Sequence, residues 1–414
     1  MVWKRFLSWK IILVPIGIFA VIFAVKAAGH AFDRYRYSKE VGNKTIFQYG
    51  ELPACGDKKE FFTVSPVKDG LYSNIVPLGN FGATGGHVIP TKHIYFIAKD
   101  PDHQPLTDIY APGDLHITTI EQWHNLTKNL TEYFVYTSPC QDIEVNFYHF
   151  NELSPKLMEA FNKKTSCDWQ RSEQTGNTSY QHCGKVLHGV TVAAGEVLGK
   201  ATPANKGGIR QFFDFEMSDH RTQALAFANP KRFEGGFDFK HIVCPLDYFT
   251  PALKQKFFSQ IADYYNPNLK RTARPLCGEY MQDVPGTAQG VWFKNNSDTA
   301  DNGENSAVTL AHHNVLTQKG IFSIGTQAMG TIEAGEYPFV PQLSGLINRD
   351  FKDVTADGKT YCFEPTGLTG TYNYPFRIIL QMTSPTKLKI EGQKVQGCGS
   401  GPWNFDNGAS EFER

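Results

Sequence analysis

The residues of this chain best suited to chemistry are imidazoles and carboxylates set in or beside short apolar runs. His87 and His93 occur in Gly86-His-Val-Ile-Pro-Thr-Lys-His-Ile-Tyr-Phe96, at the entrance to an apolar strand. His149 lies in Phe147-Tyr-His-Phe150, and Asp214 and Glu216 lie in Phe212-Phe-Asp-Phe-Glu216. Strand alternation puts Asp214 on one face and Phe213 and Phe215 on the other. Imidazole nitrogens and a carboxylate oxygen are zinc ligands, and three of them plus a water make a hydrolytic centre. A metal site here would draw on His87 or His93, together with His149 and Asp214, and His149 or Glu216 would act as base. The alternative for each residue is structural, with no cofactor: His87 bonding a loop backbone, and His149 satisfied in the core by Tyr148 or Asp214. The adjacent His312 and His313 point to opposite faces of a strand, so they do not share a metal. Asp298, Asp301 and Glu304 miss the spacing of a calcium loop and read as a solvated acidic stretch.

The elements that must position these groups are mostly strands. Apolar runs bounded by turn residues occur at 93–98, 133–137, 143–150, 190–192 and 211–217, then at 290–294, 307–311, 321–324, 359–363, 377–382 and 387–390. Ser154-Pro155 and Thr250-Pro251 each supply an N-cap and an N1 proline. They predict helices running to about Lys164 and to Tyr265. The Gly- and Asn-rich tail after Gly397 is expected to fray. No repeat of 20 to 50 residues is evident.

In order along the chain, these stretches resemble the lysostaphin-like (M23, LytM) peptidoglycan endopeptidases and their duplicated-hybrid-motif β fold, over about residues 77–220. Tyr110-Ala-Pro-Gly-Asp114 is similar to that family's strand-and-turn signature, and Val192-Ala-Ala-Gly-Glu-Val-Leu-Gly199 to its hairpin. His149 falls where the family has the histidine of its Y-x-H-L strand, and Phe215-Glu216 where its H-x-H-F-E strand ends. The resemblance implies a zinc site built from H-x-x-x-D and H-x-H. Here Phe212 and Asp214 stand at the H-x-H positions, and no H-x-x-x-D exists, since His87 and His93 are six apart.

Lys4, Arg5 and Lys10 precede an uncharged run from Ile11 to Val25, which reads as a signal anchor or signal peptide over 1–29. The run is short of the ~20 residues that span a bilayer comfortably, and extension to Trp9 and Gly29 with Lys26 snorkelling makes a usable span. Eight cysteines behind such a segment, none in a CxxC, read as disulfides. Neighbour pairing is the expectation: Cys55 with Cys140, Cys167 with Cys183, Cys244 with Cys277, and Cys362 with Cys398. The 41 basic and 41 acidic residues give no net charge, which argues against nucleic acid as a partner.

The expected fold is mainly β: an M23-like β-sandwich or barrel domain with two inserted or appended helices, then a second small β domain. The expected divisions are a stalk over 30–65, the M23-like domain over 66–230, a helical connector over 231–275 and the second domain over 276–414. The sequence thus predicts an extracytoplasmic envelope protein, membrane-anchored or secreted, in the periplasm or at the cell surface. Its expected partners are the membrane, through the N-terminal segment, and peptidoglycan, another glycan or an envelope protein. Three functions stay open: a non-catalytic binding domain, a zinc metallohydrolase with altered ligands, and a structural or adhesive surface protein.

Overall fold

Alternation along the apolar runs builds sheets with one phenylalanine-rich face and one polar face. The computed structural model describes residues 52–414 except 176, 177, 205, 207, 236, 237 and 371. The hydrophobic N-terminal segment and most of the expected stalk lie outside the described residues. Among the described residues, no helix is long and apolar enough to cross a membrane.

The first part of the chain contributes β1 (Tyr72–Val76), β2 (His93–Ala98), β3 (Thr107–Tyr110), β4 (Leu115–Asn125), β5 (Leu130–Cys140), β6 (Ile143–Phe150), β7 (Glu152–Leu153), β8 (Trp169–Thr175), β9 (Thr178–Val186), β10 (Thr191–Val192), β11 (Val197–Ala201) and β12 (Gln211–Asp219). They form one large antiparallel sheet in the order β1-β2-β12-β6-β5-β4-β9-β8, with β10 paired to β4, and a small sheet β3-β11-β7. Beneath the large sheet, Phe147 stacks on Phe215 with ring centroids 5.0 Å apart, and Phe96 on Phe213 at 5.7 Å. Phe62, Phe249 and Phe257 close this layer from below. Phe62 comes from the stretch expected as stalk, which is tied down by the Cys55–Cys140 disulfide. Each of these buried rings contributes on the order of 2 kcal/mol.

Helix α1 (Pro155–Lys163) starts as expected, with the Ser154 hydroxyl accepting from the Leu157 N–H, and buries Leu157 and Phe161. Helix α2 (Pro251–Ser259) is shorter than expected. After Gln260 the backbone turns to pair with edge strand β1: the Ile75 N–H donates to the Gln260 carbonyl at 3.0 Å, and Ala262 N–H to the Ile75 carbonyl at 2.9 Å. Ile261 stays buried in this extended form, so the stretch expected to continue the helix serves as a strand-like segment instead.

The second part forms two four-stranded antiparallel sheets. One is β13 (Gly290–Trp292), β14 (Val308–His312), β15 (Gly320–Ile324) and β16 (Gly335–Phe339); the other is β17 (Tyr361–Phe363), β18 (Arg377–Ser384), β19 (Lys387–Gln393) and β20 (Ser410–Glu413). Phe322, Phe339, Phe351 and Phe363 pack between them with centroids 4.8 to 5.8 Å apart. The two parts interlock where Leu78 N–H donates to the Cys277 carbonyl at 2.8 Å. Gly79 and Gly278 both have positive φ there, and a Cβ on either would overlap a carbonyl oxygen of the opposing segment, so only glycine permits the approach.

The tail does not fray. β20 pairs with β19, Phe412 is buried, and the Arg414 guanidinium lies over the Trp292 ring at 4.0 Å while donating to the Gln289 carbonyl. All four expected disulfides are present and no cysteine is free. They point to an oxidising, extracytoplasmic or secreted environment. Replacing Phe412 with Ala is expected to lower the unfolding free energy by about 3 kcal/mol in urea titration; an unmoved midpoint would mean the tail contributes nothing to the core.

Candidate functional site

The polar face of the large sheet collects ionisable groups in cross-strand rows. On β12, Asp214 sits opposite Tyr95 of β2 and Tyr148 of β6, and Glu216 opposite His93 and Asn146. Trp123 of β4 faces Glu132 of β5 on one side and His182 of β9 on the other. The β5–β6 register slips between Tyr133 and Val135, and His149 takes φ +74°. This bulge puts His149 on the polar face beside Tyr148 and returns Phe150 to the phenylalanine layer. A non-glycine residue in the left-handed region costs on the order of 1 kcal/mol and is held there only by its surroundings.

Those surroundings are charges. His149 Nδ1 lies 3.0 Å from Glu132 Oε2, and its Nε2 3.4 Å from Asp214 Oδ2. His93 Nε2 approaches the same Asp214 oxygen at 3.5 Å and the Tyr95 hydroxyl at 2.9 Å. The His87 ring meets His93 edge-on with centroids 5.5 Å apart. Lys206 Nζ reaches Glu132 Oε1 at 2.5 Å and Lys92 Nζ reaches Glu216 Oε2 at 3.0 Å. The structure therefore brings together His87, His93, His149 and Asp214. Glu216 shares the face but is engaged by Lys92 and by the Asn146 amide at 3.3 Å.

Burial alone would neutralise these groups, and the pairing decides which ones stay charged. It pushes His93 down to about 3 against the pull of Asp214, and it also lowers His87. For His149 burial acts downward too, but Glu132 and then Asp214 outweigh it and lift the imidazole to about 10. Burial would raise Asp214, yet His93 and His149 hold its carboxyl below the usual range. Glu132 is likewise pushed up by burial and pulled down to about 2 by His149 and Lys206. At neutral pH, His87 and His93 are neutral while His149 is a cation held between two carboxylates.

This arrangement tests the zinc expectation. Separations of 3.4 and 3.5 Å to Asp214 Oδ2 match the edge of a tetrahedral shell with bonds of about 2 Å. The buried His93 Nδ1 has no hydrogen-bond partner. However, the ligand atoms of His93, His149 and Asp214 do not all fall within 4.8 Å of one another. Among the described residues, a set that does is His220, Asp238 and His241. To hold zinc, the two imidazoles would have to close on each other and His149 would have to give up its proton, since a ligand needs a free lone pair.

Residues that the sequence reading passed over complete the site. Glu132, in Thr131-Glu-Tyr-Phe134, is acidic within a strand, which is the available signal that a cation faces it. Trp123 stacks on Tyr180 at 4.7 Å and touches Phe134 and His149, forming a half-buried aromatic shelf beside the imidazolium. Glu304, expected in a solvated loop, instead accepts from the Ile89 N–H at 3.0 Å, and burial raises its carboxyl to about 8. Glu336 accepts from the Ala83 N–H. Two side chains from the second part thus fix the loop that carries His87. His312 and His313 do part company, to Asp350 at 3.1 Å and Asp263 at 3.7 Å.

The folded pKa of His149 lies above its unfolded value of about 6.5, so its contribution to stability is complete below that pH and fades as pH rises towards about 10. His93 works oppositely, gaining from about 3 up to 6.5. Imidazole NMR is expected to show His149 doubly protonated across pH 5 to 8 and His93 neutral. Glu132→Gln is expected to lower the His149 midpoint, and an unchanged midpoint would remove Glu132 from this role. Comparison with known proteins supplies no relative, as no family model, curated protein or solved structure matches this chain.

Proposed function

We propose that the chain is an extracytoplasmic binding protein of the cell envelope that holds an extended peptide or glycan across the polar face of its large sheet. The observation that carries this reading is the closed Glu132–His149–Asp214 charge relay set against the Trp123–Tyr180 shelf. His149 is pinned through both ring nitrogens, so it lacks the lone pair that a base or metal ligand requires. A fixed, partly exposed imidazolium can still attract a carbonyl or carboxylate, and the adjoining rings can stack on a sugar face or a peptide plane. Its side chain is 23% exposed, enough to touch a ligand.

The likeness to lysostaphin-like peptidases supports the choice of ligand class. The stretches around Tyr110 and Val197 that carry it pair with one another as β3 and β11, flanking the sheet that bears His149. A domain of that kind without the H-x-H pair fits retention of a chain ligand without its hydrolysis. The N-terminal hydrophobic segment and the disulfides favour work outside the cytosol.

A second reading, a zinc hydrolase with His93, His149 and Asp214 as ligands and Glu216 as base, is favoured by the separations to Asp214 Oδ2 and the unpartnered His93 nitrogen. Co-sedimentation with peptidoglycan sacculi and other insoluble glycans separates the two. The protein is expected in the pellet, with Trp123→Ala weakening retention about tenfold. Full recovery in the supernatant with every matrix would sink the binding reading. Stoichiometric zinc lost in both His149→Ala and Asp214→Ala would put the hydrolase in its place.

A further inference from the structure

At the far end of β12, His220, Asp238 and His241 bring their ligand atoms within 4.8 Å of one another. His220 follows Asp214 by six residues, so this cluster lies about 20 Å along the strand from the His149 site. His220 Nε2 stands 3.5 Å from Asp238 Oδ2 and 4.0 Å from Glu144 Oε1. The His220 and His241 rings approach to 4.9 Å between centroids.

Two polar atoms of these residues lack hydrogen bonds. Asp238 uses Oδ1 to accept from the backbone N–H groups of Lys240, at 2.8 Å, and His241, at 3.3 Å. Its Oδ2 is buried with no hydrogen bond, and so is His241 Nδ1. Buried polar atoms without hydrogen bonds are uncommon, and a carboxylate oxygen beside two imidazoles offers lone pairs to a cation. The backbone is already arranged for it. Asp219 N–H donates to the His241 carbonyl at 2.9 Å and Val243 N–H to the Met217 carbonyl at 3.0 Å, annealing residues 241–243 to the end of β12. Cys244 is disulfide-bonded to Cys277 just beyond, and Cys140 to Cys55 just before the strand that carries Glu144.

We infer that His220, Asp238 and His241 bind a divalent transition metal of the zinc class, with Glu144 or a water in the fourth position. The metal clips the segment after Asp238 to the ends of β12 and β6. Its binding free energy then adds to that of folding.

The test uses the full-length oxidised chain, stripped with chelator and dialysed against Zn²⁺ or Co²⁺. About one metal per chain is expected to be retained, with visible absorption of the cobalt form and a higher melting temperature. His220→Gln and His241→Gln are expected to weaken uptake by at least roughly tenfold. Asp238→Asn keeps the turn acceptor and is expected to do the same while leaving the metal-free melting temperature unchanged. His149→Ala should bind as the wild type does. No uptake by the wild type, uptake that survives both histidine replacements, or uptake that follows His149→Ala instead, would each overturn the assignment.

Discussion

A carboxylate buried in the middle of a sheet sets the terms for the first half of this molecule. Asp214 lies on β12, whose other face is phenylalanine packed on phenylalanine, and an ionised group there is tolerable only beside a compensating charge. His149 supplies it, Glu132 balances His149, and Lys206 balances Glu132. Lys92 does the same for Glu216 one row away. Asp214, Glu132 and Glu216 thus stand against His149, Lys206 and Lys92. The bulge and the left-handed backbone at His149 follow from this balance, because an unbroken β6 would send His149 into the phenylalanine layer.

That balance also shapes what the site can bind. A dication placed among His93, His149 and Asp214 would meet a cationic imidazole unless a proton left first, so metal and proton compete for one position. A neutral or singly anionic ligand meets no such barrier at His149. The far end of β12 differs: there a carboxylate, Asp238, lies beside two imidazoles, His220 and His241.

Much of this was legible in the sequence because period-two alternation is strong wherever one face is all phenylalanine. The runs at 93–98 and 143–150 coincide with β2 and β6, and the placement of Asp214 opposite Phe213 and Phe215 follows from the same rule. Neighbour pairing of the cysteines also held. What stayed hidden depended on partners distant in sequence. The end of α2 is set by the edge of β1 nearly two hundred residues earlier, and the ordering of the last residues by β19 and Trp292. Glu132 and Glu304 looked like ordinary surface acids, since even an acid set in a strand does not say which distant histidine or loop N–H will be folded against it. The cluster at His220 was invisible for the same reason: its members come from a strand end and from a segment that returns to it.

The loop bearing His87 is held from outside its own sheet, by Glu304 and Glu336 and by the close backbone approach at Gly79 and Gly278. The catalytic-looking half of the chain is therefore not a cassette. Cut from the residues that follow it, or fused to a foreign partner, it would lose the scaffolding of one imidazole. The two halves would consequently have to be inherited, duplicated or engineered as one unit.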